Sequence, residues 1–283
     1  MKNIVTVDWL HERLEDPSVC VIDCRFELGN PGKGLSLYIK DHINGAFYFD
    51  LEKDMSKPRE KHGGRHPLPV LERFIDKLSA AGIDAHTKVV AYDDQGGMMA
   101  ARFWWLLKYL GHENVYVLDG GYSKWVEKGY PISEEIPSPS RKQFQVNIRP
   151  ELLCNVDEVK NIIATKSGYL FDSRAEERYT GQKETIDHKA GHIPGAFNYF
   201  WKDCINEKNE WKSIDQLRER FQAFKQDDQI IVYCGSGVSA CPNIIALDEL
   251  GYNNVKLYLG SWSDWISYED NPIAVGPQHS EIK

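Results

Sequence analysis

The chain has 283 residues, 42% of them hydrophobic, and a formal net charge of −8. That length allows one large domain or two of ordinary size, and the acidic balance argues against nucleic-acid binding, which needs a basic surface. No apolar run approaches the roughly 18–20 residues of a membrane span. The N-terminal "MKNIVTVDWL" carries Asp8 and no signal-peptide core, so a soluble, cytoplasmic protein without membrane partners is expected.

Taken in order, "VCVID" reads as a short apolar strand and "LPVLERFIDKLSAAGI" as a helix, with Leu71, Phe74, Ile75 and Leu78 at helical spacing. "KVVAY" is a strand, "AARFWWLLKYLG" a helix ending at Gly111, and "NVYVL" a strand. After "EEIPSPSRKQFQVNIRP" (134–150), which reads as a linker, the alternation resumes. "IDQLRERFQAFK" and "NIIALDELGY" are helical, and "QIIVY" and "NVKLYL" are strands. Apolar strands alternating with helices predict an α/β fold, each half a mostly parallel sheet with helices on both faces. Ligands then bind beyond the carboxyl ends of the strands.

The two halves are copies. "VIDCRFE" (21–27) echoes "LFDSRAE" (170–176), and "DHINGAF" (41–47) echoes "GHIPGAF" (191–197). "KVVAYDD" (88–94) echoes "QIIVYCG" (229–235), and "LDGGYSKW" (118–125) echoes "YLGSWSDW" (258–265). The expected domains are therefore 1–133 and 151–283. A residue kept in both copies serves the fold. Asp23 with Arg25 matches Asp172 with Arg174, an expected structural ion pair. His42 matches His192, and Trp125 matches Trp265, both read as structural.

A residue present in one copy is a candidate for chemistry. Cys234 stands opposite Asp93, Ser236 has no counterpart hydroxyl, and Arg178 falls opposite Gly29. His42 and Asp93 are 51 residues apart and His192 and Cys234 are 42 apart, so the first copy carries nine extra residues. That interval holds "KHGGRHPLP" (61–69), with His62, Arg65 and His66. A nucleophile in one domain and an added loop in the other suggest a site in an interdomain cleft. The other cysteines, Cys20, Cys24, Cys154, Cys204 and Cys241, form no C-x-x-C pair, and Cys20 and Cys24 share one apolar strand. They read as small buried hydrophobes, without disulfides. Cys234 and Cys241 are too far apart along the chain for a disulfide without rearrangement. The nine histidines offer no zinc spacing.

The loop Cys234-Gly235-Ser236-Gly237-Val238-Ser239 follows a strand and leads towards a helix. Glycines let such a loop curl, so that its N–H groups form an anion-binding nest. A nest and a helix N-terminus both favour a thiolate. Pro242 is tolerated in the first turn of that helix.

With these motifs in place, the chain resembles the tandem-domain rhodanese-type sulfurtransferases over nearly its whole length. The carrying residues are the duplicated D-x-R and H-I-x-G-A blocks, "HGGRHPLP", "RYTG…AGHIPGA" and "CGSGV". The resemblance implies two tandem rhodanese-like domains, the first without the cysteine. It implies a ping-pong mechanism in which Cys234 takes sulfur from a donor as a persulfide. The sulfur passes to a thiol such as thioredoxin or glutathione, or to cyanide, and no cofactor or metal is required. "CGSGV" is similar to the branch using 3-mercaptopyruvate. The thiosulfate branch usually has basic residues where Gly235 and Ser236 stand, and it remains the alternative. Arg178 then corresponds to the arginine that binds the donor carboxylate, a task suited to a guanidinium. A second arginine expected before the H-I-P-G motif is missing from "GQKETIDHKAGH", where Lys183 and Lys189 are the nearby cations. Ser236 and His66 are the implied proton relay, with Glu52 or Asp50 as the orienting acid, and Arg65 binds donor or braces its loop.

Two rival readings differ in class. A cysteine phosphatase needs C-x5-R, but Ala240 stands six residues after Cys234. A non-enzymatic rhodanese-like binding module has no need of a reactive cysteine.

Overall fold

A computed structural model describes residues 1–277. They form two compact units. One comprises 1–57, 68–149 and 205–211, and the other 58–67, 150–204 and the residues from 212 onward.

In the first unit the chain runs β1 (Ile4–Val5), α1 (Val7–His11), β2 (Val19–Asp23), α2 (Lys33–Lys40), β3 (His42–Ile43), β4 (Phe47–Tyr48) and α3 (Leu71–Ala80). It continues through β5 (Lys88–Tyr92), α4 (Met98–Tyr109), β6 (Val115–Leu118), α5 (Gly121–Glu127) and β7 (Ile132–Ser133). In the second it runs β8 (Leu153–Cys154), α6 (Val156–Thr165), β9 (Tyr169–Asp172), α7 (Glu176–Tyr179), β10 (Ala196–Asn198), α8 (Ile214–Phe221), β11 (Ile230–Tyr233), α9 (Cys241–Glu249), β12 (Val255–Tyr258) and α10 (Ser261–Trp265).

The sheets have the same order, β1-β6-β5-β2-β4 and β8-β12-β11-β9-β10, and every pairing within them is parallel. The central strands are unbroken apolar runs because both faces are covered. Val89–Tyr92 and Ile230–Tyr233 are wholly buried, with α4 packed on β5 and β6, and α9 on β11 and β12. β3 and β7 pair antiparallel beside the first sheet, and the bridge His192–Ala274 repeats this in the second unit.

The duplicated residues hold each unit together. Arg25 Nη2 lies 2.6 Å from Asp23 Oδ2, and Arg174 Nη2 lies 2.6 Å from Asp172 Oδ2, with both pairs buried. A second partner for each guanidinium, the carbonyl of Asp41 or of Gly191, offsets desolvation. His42 and His192 place Nδ1 at 2.7 and 2.8 Å from the carbonyls of Tyr38 and Tyr179. Trp125 and Trp265 are core. Residues 134–149 pack with the first unit. Asn147 and Arg149 donate to the carbonyls of Leu110 and Tyr109, and Phe144 is buried. Among the described residues no helix is long and apolar enough to cross a membrane.

Candidate active site

Cys234 is the first residue beyond β11, the central strand of its sheet. Its backbone is fixed on three sides. Its N–H donates to Ser261 Oγ at 3.1 Å. Its carbonyl accepts from Trp262 N–H at 2.9 Å, and the Gly235 carbonyl accepts from Ser263 N–H at 3.0 Å. The loop then curls back, and Gly237 N–H donates to Cys234 Sγ at 3.2 Å. That turn requires Gly237: its φ is +77°, and a Cβ there would sit 2.3 Å from the Leu259 carbonyl oxygen. Val238 is buried and Ser239 half-buried at the end of the loop. α9 begins only at Cys241, with Pro242 in its first turn. The loop amide, rather than the helix, is therefore the donor nearest the sulfur.

The first unit contains an internal control for this loop. There Asp93 occupies the position of Cys234, and its carboxylate accepts N–H bonds from Gln95, Gly97, Met99 and Ala100 at 2.6–3.0 Å. Burial holds its carboxyl above the ordinary value, and these four bonds act in the opposite direction without cancelling it. The loop after the central strand of the sheet is thus a nest filled by the chain's own carboxylate in the first unit, while in the second it carries a thiol that accepts from one amide.

The other cysteines are free and buried. Burial pushes the Cys20 and Cys204 thiols up to about 12 and also raises those of Cys24 and Cys154. Cys241 is buried and directs its Sγ at the Gly237 carbonyl.

Residues 58–67 were expected to act from the first domain, but they fold as part of the second unit. Glycine makes this possible at Gly64, where a Cβ would lie 2.4 Å from the Gly260 carbonyl oxygen. Gly63 N–H donates to Asp264 Oδ1 at 2.6 Å and Arg65 N–H to Ser263 Oγ at 3.1 Å. His62, unassigned from sequence, stacks on Tyr268 and meets Ser267 Oγ at 2.7 Å, so it anchors the segment. The segment carries His66 to Ser236, with Nδ1 to Oγ at 2.8 Å and both side chains buried.

Arg65 and Arg178 converge on Gly235. A Cβ on Gly235 would stand 2.8 Å from Arg65 Nη2 and 3.5 Å from Arg178 Nη1, so glycine leaves room for both guanidinia next to Cys234 in the chain. Sequence reasoning missed the carboxylates that hold them. Asp187 accepts from Arg65 Nη1 and, at 3.0 Å, from Arg178 Nη2. Glu184 accepts from Arg178 Nε at 3.0 Å and lies 3.5 Å from Arg174 Nη1. Burial raises the Glu184 carboxyl, but N–H bonds from Ile186 and Asp187 and the Arg178 guanidinium outweigh it, leaving it below its ordinary value. Lys183 turns outward to Glu177, and Lys189 contributes its carbonyl to the Trp262 indole.

Asp50 is buried in the first unit, where its carboxylate accepts from the amides of Glu52 and Lys53 and from Tyr48 OH. Glu52 is exposed. Among the described residues no group of three or more His, Cys, Asp or Glu side chains is placed to hold a metal.

Residues 6–128 and 155–268 each match the family described as a rhodanese-like domain. A probable 3-mercaptopyruvate sulfurtransferase of Pseudomonas aeruginosa is 39% identical over 278 residues, covering 96% of this chain and 98% of that protein. The thiosulfate sulfurtransferase of Bos taurus is 32% identical over 93% of this chain and 91% of its own. Among solved structures, a 3-mercaptopyruvate sulfotransferase of Escherichia coli is similar with a TM-score of 0.82 at 31% identity, covering 93% of this chain and 100% of that one.

Proposed function

This chain belongs to the rhodanese family and is a sulfurtransferase, and on that premise we propose that it moves sulfur from 3-mercaptopyruvate to a thiol or cyanide through a persulfide on Cys234. The observation that carries the reading is the placement of Cys234 Sγ. It sits in a loop whose amide already donates to sulfur, and the next two residues are Gly235, on which two guanidinia converge, and Ser236, which is hydrogen-bonded to His66.

In the first half-reaction the Cys234 thiolate attacks the thiol sulfur of 3-mercaptopyruvate. The S–S bond forms as the C–S bond breaks, and the bonding pair leaves with carbon as the enolate of pyruvate. Ser236 donates a proton to that enolate and is re-protonated by His66 across their 2.8 Å contact. Arg65 Nη2 and Arg178 Nη1 hold the donor carboxylate, a charge-assisted contact. In the second half-reaction an acceptor thiolate, or cyanide, attacks the outer sulfur and releases the Cys234 thiolate. No cofactor or metal takes part.

Thiosulfate is the second reading, favoured by the pairing of two guanidinia at Gly235. It gives up its outer sulfur and leaves as sulfite without needing a proton. The deciding experiment is kcat/KM for each donor with one common acceptor. The proposal predicts faster turnover of 3-mercaptopyruvate, and a faster thiosulfate reaction overturns the donor assignment.

A further inference from the structure

The two guanidinia beside Cys234 are already partly neutralised from within the chain. Asp187 bridges them, one carboxylate oxygen to Arg65 and the other to Arg178, and its side chain is only 4% exposed. The segment "KETID" is shaped to present it there, because the Asp187 and Ile186 amides both donate to Glu184 Oε1. Glu184 in turn occupies Arg178 Nε. What remains for an incoming anion is one face. Arg65 Nη2 and Nε and Arg178 Nη1 carry no hydrogen bond among the described residues, and Arg65 Nε is also buried. The seat next to Gly235 is therefore cationic in its hydrogen-bond donors but close to balanced in charge.

We propose that Asp187 is a charge-selecting residue of this site. It keeps Arg65 and Arg178 in place as donors while cancelling enough of their field to admit a monoanionic sulfur donor and disfavour a dianionic one. This deepens the functional reading above and rests on it for the identity of the donors. The Coulomb term scales with the product of the charges, so a dianion feels Asp187 twice as strongly as a monoanion. With an effective dielectric of about 20 and a separation of about 10 Å, one charge changes a monoanion's affinity about tenfold and a dianion's about a hundredfold. Asp187 would thus shift preference toward 3-mercaptopyruvate over thiosulfate by about tenfold. That is the discrimination expected where two arginines from other segments flank a loop that has no cation of its own.

The test compares wild type with Asp187→Asn and Asp187→Glu, the second keeping the charge. Two readouts are used. The first is alkylation of Cys234 by iodoacetate relative to iodoacetamide, reagents that differ in carrying a charge. The Asn variant should raise that ratio about tenfold, and the Glu variant should leave it near wild type. The second is donor choice. In the Asn variant kcat/KM for thiosulfate should rise about tenfold more than that for 3-mercaptopyruvate. A folded Asn variant with an unchanged alkylation ratio overturns the proposal, because a merely structural role would alter both reagents alike. Should Asp187→Asn not fold, Asp187→Glu against Asp187→Gln makes the same comparison at matched size. A protein that transfers sulfur from neither donor would sink the functional reading, and the alkylation ratio would still decide the role of Asp187.

Discussion

Replacing Ser236 with alanine separates proton transfer from everything else at the site. The hydroxyl lies 2.8 Å from His66 Nδ1, and both residues are buried, so bulk water cannot easily take its place. The substitution removes one buried hydrogen bond, a net loss of about 1 kcal/mol in stability. It leaves the Cys234 backbone contacts to Ser261 and Trp262 intact. That structural cost falls on both donors equally. Loss of a general acid costs about 10²- to 10⁴-fold, and only 3-mercaptopyruvate has a carbon leaving group that needs the proton. Turnover of 3-mercaptopyruvate should therefore drop about a hundredfold or more, while thiosulfate turnover stays within about fivefold, the effect of one ordinary hydrogen bond. The assay is kcat with each donor at saturation, using one acceptor. His66→Ala should reproduce the pattern. Equal slowing with both donors would refute the relay.

Arg178→Ala should lower kcat/KM for the anionic donor by about 10–150-fold, the loss of one charge-assisted pair of about 1.5–3 kcal/mol; a silent change would move the anchor to Arg65. Gly235→Ala should cost as much without unfolding the chain, because its Cβ displaces the Arg65 Nη2 that lies 2.8 Å away, measured as KM against thermal stability. At Ser261, whose φ of +57° is strained for any residue with a Cβ, alanine keeps the strain and loses the bond to Cys234 N–H. Ser261→Ala should therefore lower the melting temperature more than Ser261→Gly, and both should slow alkylation of Cys234. Burial holds the His112 imidazole below its ordinary value of 6.5, with Nε2 at 3.0 Å from the Thr87 carbonyl. A folded-state pKa below the unfolded one gives stability that is present above 6.5 and lost as pH falls beneath it. Urea midpoints should fall from pH 7 to pH 5 in wild type and fall less in His112→Gln.

The repeat made the architecture readable, because the same four blocks in the same order require two sheets of one topology. It also isolated Cys234, since Asp93 stands in its place and does a different job in the same kind of loop. The placement of 58–67 was beyond the sequence. The insertion can be counted, but its packing is set by contacts about 200 residues distant, such as Gly63 with Asp264. Asp187 was hidden for a related reason. The segment "GQKETIDHKAGH" lacks the expected arginine and offers two lysines, yet the residues that reach the arginines at Gly235 from it are acids. Ser261 left a signal that could have been used: it replaces Gly121, whose φ is +59°, and a non-glycine residue at a left-handed position invites a functional question. Glu52 and Asp50 remain unseparated by sequence because both lie in one turn, where Asp50 accepts the Glu52 amide.

Cys234 alone is expected to carry the transferred sulfur. Protein incubated with 3-mercaptopyruvate in the absence of acceptor, then digested and mass-analysed, tests it directly. The added mass of one sulfur atom is expected on Cys234, localised by fragmenting its peptide and released when a thiol acceptor is supplied, with no turnover by Cys234→Ala. Sulfur on a peptide containing Cys20, Cys24, Cys154 or Cys204, fragment ions that place it on Cys241 within the shared peptide, or turnover retained by Cys234→Ala, would contradict it.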